Sequence, residues 1–189
     1  MSEKLSEFIE LFHDHDVFIP TKTMKLVGDV DEDLFNSALC NLHSLDSIHG
    51  DITIKLMSDG GSVSIARGIY DLIIGCKNRV RIICYGEVSS AGTIILQAGD
   101  HRVMSENSKL MIHVGEEGMS SNHPRNIDKL HEQYRIDEKW IEDIYLLKIK
   151  EKKKRFTREN LKDMLIWDKS LSPKEALALG LIDSIGELQ

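Results

Sequence analysis

The chain alternates short apolar runs of strand length with stretches in which apolar residues recur every three or four positions. Met24-Lys-Leu-Val27 leads through an Asp-rich turn into a helical pattern from Glu32 to Leu45. Ile52–Met57 and Val80–Tyr85 read as strands, each followed by a helical segment, Ile65–Gly75 and Ala91–Gly99 respectively. Lys109-Leu-Met-Ile-His-Val114 alternates Leu110 and Ile112 against Met111 and His113, as a strand with two unlike faces does. Strands that alternate with helices in this way predict βα units and a largely parallel α/β arrangement. Outside this block, Leu5, Phe8, Ile9 and Phe12 form one helical stripe, so residues 1–20 read as a short amphipathic helix plus linker. A long helical pattern runs from about residue 124 to 154, with Ile127, Leu130, Tyr134, Ile136, Ile141, Ile144, Tyr145 and Leu147 among many charges. Thr157 then caps a helix carrying Leu161, Met164 and Leu165 on one face.

Two strand-to-helix junctions carry unusual punctuation. Gly86-Glu-Val-Ser-Ser-Ala-Gly92 delivers a serine from a strand into the start of an apolar helix. The first backbone N–H groups of a helix have no intrahelical partner, so an anion formed there meets several donors. An acyl-transfer nucleophile needs that arrangement, and Ser89 and Ser90 compete for the role. The simpler reading is that one of them only caps the helix. Upstream, Ser58-Asp-Gly-Gly61 ends another strand, and a Gly-Gly turn can bring a backbone N–H up to a bound carbonyl that a side chain would obstruct. His113 lies near the end of its strand, before the loop Gly115–Gly118; a lone histidine on an apolar strand is usually a satisfied core residue, so alone it is a weak sign of a base.

Composition narrows the function classes. With 189 residues, 41% apolar and 29% charged, the chain is expected to fold as one domain, 1–189, with a substantial core. No apolar run approaches the roughly 20 residues needed to span a bilayer, and the N-terminus lacks the apolar centre of a signal peptide. The three cysteines, Cys40, Cys76 and Cys84, are odd in number, widely spaced and set in apolar surroundings. They are expected to be reduced, buried thiols of a cytoplasmic protein, with neither disulfide nor metal site. A net charge of −7 argues against nucleic acid as a partner. The basic run Lys148–Arg155 is read as complementing a helix dipole in water.

Four segments in order resemble the proteolytic subunit of the Clp protease family. They are Ser58-Asp-Gly-Gly61 with Ile69-Tyr-Asp71, Gly86 with Ser90-Ala-Gly92, Met111-Ile-His113, and Leu171-Ser-Pro-Lys-Glu-Ala176 with Gly180-Leu-Ile-Asp183. The resemblance covers roughly residues 20 to 187. It implies the ClpP/crotonase-like fold, a spiral of ββα units with an additional long "handle" helix at about residues 124–154. It also implies a serine endopeptidase in which Ser90 is the nucleophile, within the family's small-Ser-x-Gly frame, and His113 the base. Backbone N–H groups of Gly61 and Ala91 would form the oxyanion hole. Neither cofactor nor metal is implied. The implied partners are further copies of the chain in a homo-oligomeric ring of seven, stacked in the family into a tetradecamer, an AAA+ unfoldase that spends the ATP, and polypeptide substrates. No membrane partner is implied.

The triad acid is ambiguous. Counting forward from Thr157 places Asp168 within one residue of the family's aspartate, with several residues then missing before Leu171. Counting back from Leu171 places Met164 there, beside Asp163. Asp168, in a loop, is the favoured acid, and a purely structural carboxylate is the alternative to either. The missing stretch carries charged ring-to-ring contacts in the family, and Lys55 stands where the family usually has an aromatic residue at the unfoldase-docking pocket. Weaker ring stacking and altered unfoldase recognition follow. Two other classes compete: a crotonase-type acyl-CoA enzyme, which shares the oxyanion hole but needs no Ser–His pair, and a non-catalytic ring subunit.

Overall fold

The computed structural model describes residues 3–113, 124–165 and 167–186. The Gly115–Gly118 loop expected after His113 lies outside them, as does the side chain of Ile127. Helix α1 (Glu3–Asp14) leads into a two-residue strand β1 (Val17–Phe18) and a single 3-10 turn at Ile19–Thr21. Then follow β2 (Thr23–Val27), α2 (Glu32–Asp46), β3 (Ile52–Ser58), α3 (Val63–Ile74), β4 (Val80–Ser89) and α4 (Ala91–Gln97). The remainder is β5 (His101–Met104), β6 (Lys109–Ile112), α5 (Pro124–Lys152), α6 (Arg158–Leu165), β7 (Lys169–Leu171), α7 (Pro173–Leu179) and β8 (Ser184–Ile185).

The helix starts are set by local chemistry. Asp31 accepts from Leu34 N at 3.0 Å, and Ser62 caps α3 through Ile65 N. Ser172 and Glu175 form a reciprocal capping box around Pro173, the first residue of α7. In the sheet, β2, β3, β4 and β5 pair in parallel, with β1 antiparallel on one edge and β8 parallel on the other. The alternation along β2 and β3 buries Met24, Leu26, Ile52, Ile54 and Leu56. Helices α2 and α3 turn Leu34, Ala38, Leu42, Leu45, Ala66, Ile69 and Ile73 into the same core. Each such Leu or Ile contributes about 1.5–3 kcal/mol relative to its exposed state.

Strand β4 changes partners along its length. Arg81–Cys84 pair with β5, whereas Glu87–Ser89 pair with β6. The turn occurs at Gly86, whose φ of 57° an L side chain would resist, and the register against β3 shifts at the same place. Past this bend the end of β4 still meets β3 at Ser58–Val88 and takes β6 as its new neighbour, with the antiparallel β7 beyond it in the same sheet.

Four expectations need correction. Cys40 is exposed, because it falls off the α2 stripe formed by Leu34, Ala38, Leu42 and Leu45; only Cys84 is fully buried, and Cys76 is half-buried. His113 follows β6 rather than ending it. On α5, the sequence offers Ile141, Ile144 and Leu147 as apolar positions for pairing across rings, but Ile141 and Ile144 face the body of the subunit, where α4, α6 and α7 pack, while Ile136 and Leu147 face out. Part of the basic run is likewise structural: Lys152 Nζ donates to Leu177 O at 3.0 Å and Ile182 O at 3.4 Å, tying α5 to α7 and its exit.

Candidate active site

Ser90 occupies the residue between β4 and α4 with φ 51° and ψ −125°, a sparsely populated conformation for a residue with a side chain. Both of its backbone polar groups are held. Its N–H donates to Met111 O of β6 at 2.9 Å, and its carbonyl accepts from Thr93 N at 3.0 Å and Thr93 Oγ1 at 2.6 Å. The side chain makes no capping bond to α4. Instead Ser90 Oγ lies 2.7 Å from His113 Nε2.

The other ring nitrogen, Nδ1, stands 3.1 Å from Asp168 Oδ1. This pairing follows from sheet register. β6 and β7 run antiparallel with Ile112 opposite Lys169, and continuing one residue further sets His113 against Asp168. An ionised carboxylate only accepts, so it selects the tautomer with the proton on Nδ1 and leaves Nε2 free to accept from the serine hydroxyl. The His113 side chain is 20% exposed and that of Asp168 74% exposed.

The competing candidates lie elsewhere. Ser89 is buried on the opposite face of β4, and its hydroxyl donates to Glu87 Oε1 at 3.0 Å. Asp163 sits exposed within α6, before the β7 residues whose register carries Asp168 to His113.

The Gly60–Gly61 turn packs directly on the serine. A Cβ on Gly60 would come within 2.6 Å of Ser90 Cβ, and one on Gly61 within 2.7 Å of Val30 O. Both residues have positive φ, 109° and 141°. Val30 pins the turn by donating to Gly60 O and accepting from Ser62 N, each at 2.8 Å. Ala91, the first residue of α4, has an N–H with no acceptor inside the helix. An open groove of about 750 Å³, lined by Asp29, Val30, Asp31, Asp59, Gly60 and Gly61, runs past the turn. Among the described residues no cluster of three or more His, Cys, Asp or Glu side chains could hold a metal ion, and no helix is long and apolar enough to cross a membrane.

The Clp protease family model matches residues 10–189. The chain belongs to that family. It is 31% identical over 182 residues to the ATP-dependent Clp protease proteolytic subunit of Deinococcus radiodurans, covering 94% of this chain and 83% of the relative. It is 33% identical over 163 residues to the chloroplastic Clp proteolytic subunit 3 of Arabidopsis thaliana, covering 84% of this chain and 50% of that protein. Among solved structures, a point mutant of ClpP1 from Listeria monocytogenes superposes with a TM-score of 0.78 at 25% identity, over 88% of this chain and 92% of the other. The mixed α/β architecture and the long α5 are those of a Clp-protease-like fold.

Within this Clp-type frame the chain keeps its own features. Lys55 lies on β3 with its ammonium 5.8 Å from the Tyr85 ring centroid, so the position noted as aromatic in the family is here a cation resting on an aromatic neighbour. Arg67 of α3 pairs with Asp137 at 2.5 Å and lies over the Trp140 ring, fastening α3 to α5.

Proposed function

We propose that this chain is a serine endopeptidase of the Clp type, hydrolysing peptide bonds through an acyl-enzyme. The observation that carries the reading is the relay Ser90 Oγ–His113 Nε2–Nδ1–Asp168 Oδ1 at 2.7 and 3.1 Å, set at the start of a helix whose residues are all buried. In this scheme His113 takes the hydroxyl proton as Ser90 Oγ attacks the carbonyl carbon, then returns it to the leaving amine. Water enters by the same route in reverse and releases the carboxylic acid. Asp168 keeps the imidazole in the right tautomer; because it is largely solvated, orientation is its main contribution. The oxyanion is held by the N–H groups of Gly61 and Ala91, so the reaction needs no metal or nucleotide from this chain.

The working form in this reading is a single-domain subunit of a cytoplasmic homo-oligomeric ring, with seven copies as in the family, fed by a separate AAA+ unfoldase. The decisive experiment is cleavage of an unstructured casein-type substrate together with fluorophosphonate labelling, comparing the protein with its Ser90→Ala variant. Cleavage and labelling that both vanish in the variant support the assignment. Turnover of acyl-CoA esters without fluorophosphonate sensitivity, or an assembled ring that never cleaves, would replace it with one of the competing classes.

A further inference from the structure

The nucleophile is tied to a buried hydroxyl pair for which the relay itself has no use. Thr93, one turn into α4, is fully buried, and so is Tyr145 on α5. Their hydroxyls are hydrogen-bonded to each other across 52 residues of sequence. The direction of each bond follows from proton count. Ser90 O can only accept, so the single Thr93 hydroxyl proton goes to it, at 2.6 Å. Thr93 Oγ1 is then left as an acceptor, and the Tyr145 hydroxyl must be its donor. Burial pushes the Tyr145 phenol up to about 12, with the Thr93 bond pulling the other way, so the phenol keeps its proton throughout the range in which a histidine base works.

We propose that Thr93 and Tyr145 are positioning residues for the peptidase reaction, holding Ser90 in its strained backbone conformation so that Oγ faces His113. Ser90 has only two backbone tethers. Its N–H is fixed to β6, the strand that leads to His113, and its carbonyl is fixed by Thr93. Without the hydroxyl, the carbonyl keeps only the 3.0 Å bond from Thr93 N, and Tyr145 buries an unsatisfied phenol. A residue at φ 51° persists only when its surroundings over-determine it. Donors that polarise one another in a dry site strengthen such a tether. The bond from Tyr145 also makes the packing of α5 on α4 a condition for serine alignment.

The inference rests on the peptidase reading, and the test separates the two. The parent protein and Ser90→Ala first establish cleavage and labelling; if the parent does neither, the peptidase reading fails before any tether is examined. Given an active parent, Thr93→Val and Tyr145→Phe should each lower kcat and the fluorophosphonate labelling rate about tenfold, with KM within about twofold of the parent. Thr93→Ser, which keeps the hydroxyl, should restore most of the loss. A double variant of Thr93→Val and Tyr145→Phe should lose much less than the product of the two single effects. Parent-like kcat in Thr93→Val overturns the proposal, and so does a Thr93→Ser variant as impaired as Thr93→Val. If Thr93→Val does not fold, Tyr145→Phe carries the same test, with parent-like kcat again the overturning result.

Discussion

Ser90 Oγ and His113 Nε2 stand 2.7 Å apart although 23 residues separate them, because Ser90 N donates to Met111 O two residues before the histidine. This backbone bond brings the two side chains within reach of each other. Ser89 has no access to this pairing, since its hydroxyl is buried against Glu87. Ser89→Ala should keep cleavage within about threefold of the parent, whereas Ser90→Ala should lose a factor on the order of 10³ or more. Steady-state cleavage of a fluorogenic peptide measures both.

The two candidate acids separate in the same assay. Asp168→Asn should lower kcat by about 10²–10⁴, because the amide no longer selects the tautomer that leaves Nε2 unprotonated. The large exposure of Asp168 favours the lower end of that range. Asp163→Asn, on the outer face of α6, should be near the parent. Equal activity in both variants would mean that His113 works without an orienting carboxylate.

The sequence made the serine side of the proposed site easy to place and the acid side ambiguous, for a physical reason. Strand-to-helix junctions are local, so Gly60, Gly61, Ser90 and Ala91 announce themselves through glycines and an apolar run within a few residues. Asp168 is placed by the antiparallel register of β6 and β7, a long-range pairing that motif counting cannot see. The partner switch in β4 was hidden in the same way, because Val80–Tyr85 reads as a complete strand and Gly86 as its end. β5 is hard to read because His101 and Arg102 interrupt its apolar pattern, and the buried Arg102 is satisfied by Gln97 and by Asp183, some eighty residues later. Thr93 and Tyr145 read as ordinary positions on two helices until the fold brings their hydroxyls together.

The Gly60 contact predicts a variant that damages fold and site together. An alanine there places its Cβ 2.6 Å from Ser90 Cβ, while φ of 109° already disfavours any side chain. Gly60→Ala should cost about 1–3 kcal/mol of stability and displace the serine. Denaturant titration reads the first effect and fluorophosphonate labelling the second. Normal labelling in a destabilised protein would show that the turn yields rather than the serine.

Acid stability should depend on Asp183. Burial acts to raise its carboxyl, but hydrogen bonds from the Arg102 guanidinium and N–H outweigh it, and the group titrates below the ordinary carboxylate range. A depressed folded value means that the stabilisation is complete above the unfolded value, near 3.8, and is lost as pH falls through the lower folded one. Asp183→Asn should therefore remove stability at neutral pH and flatten the acid limb of a stability–pH curve below about pH 4. The neutral-pH loss should be about 3–5 kcal/mol, because the Arg102 side chain, 3% exposed, is left charged with neutral acceptors and no carboxylate to pair it. An unchanged acid limb would mean that other carboxylates control acid unfolding.

Assembly into a ring, and the weaker stacking of two rings, can be tested on α5. Ile136 and Leu147 are eleven residues apart, about three helical turns, so they share a face. Both are exposed while Ile141 and Ile144 are consumed by the subunit core. An exposed apolar pair on a helix this charged suits a contact between helices of facing rings. A closed ring instead needs a heterologous contact between unlike surfaces, which the apolar side chains of α1 and the early helices can supply. Leu147→Glu should accordingly lower the population of stacked rings and leave single rings intact. The stretch expected to carry the family's charged ring-to-ring contact is short before Leu171, so stacking in the parent should be weak. Native mass spectrometry and light scattering at several salt concentrations distinguish the states. A monomer at micromolar concentration under all of them would rule out the proposed chamber, and with it the means by which the proposed peptidase would be kept from cleaving its neighbours.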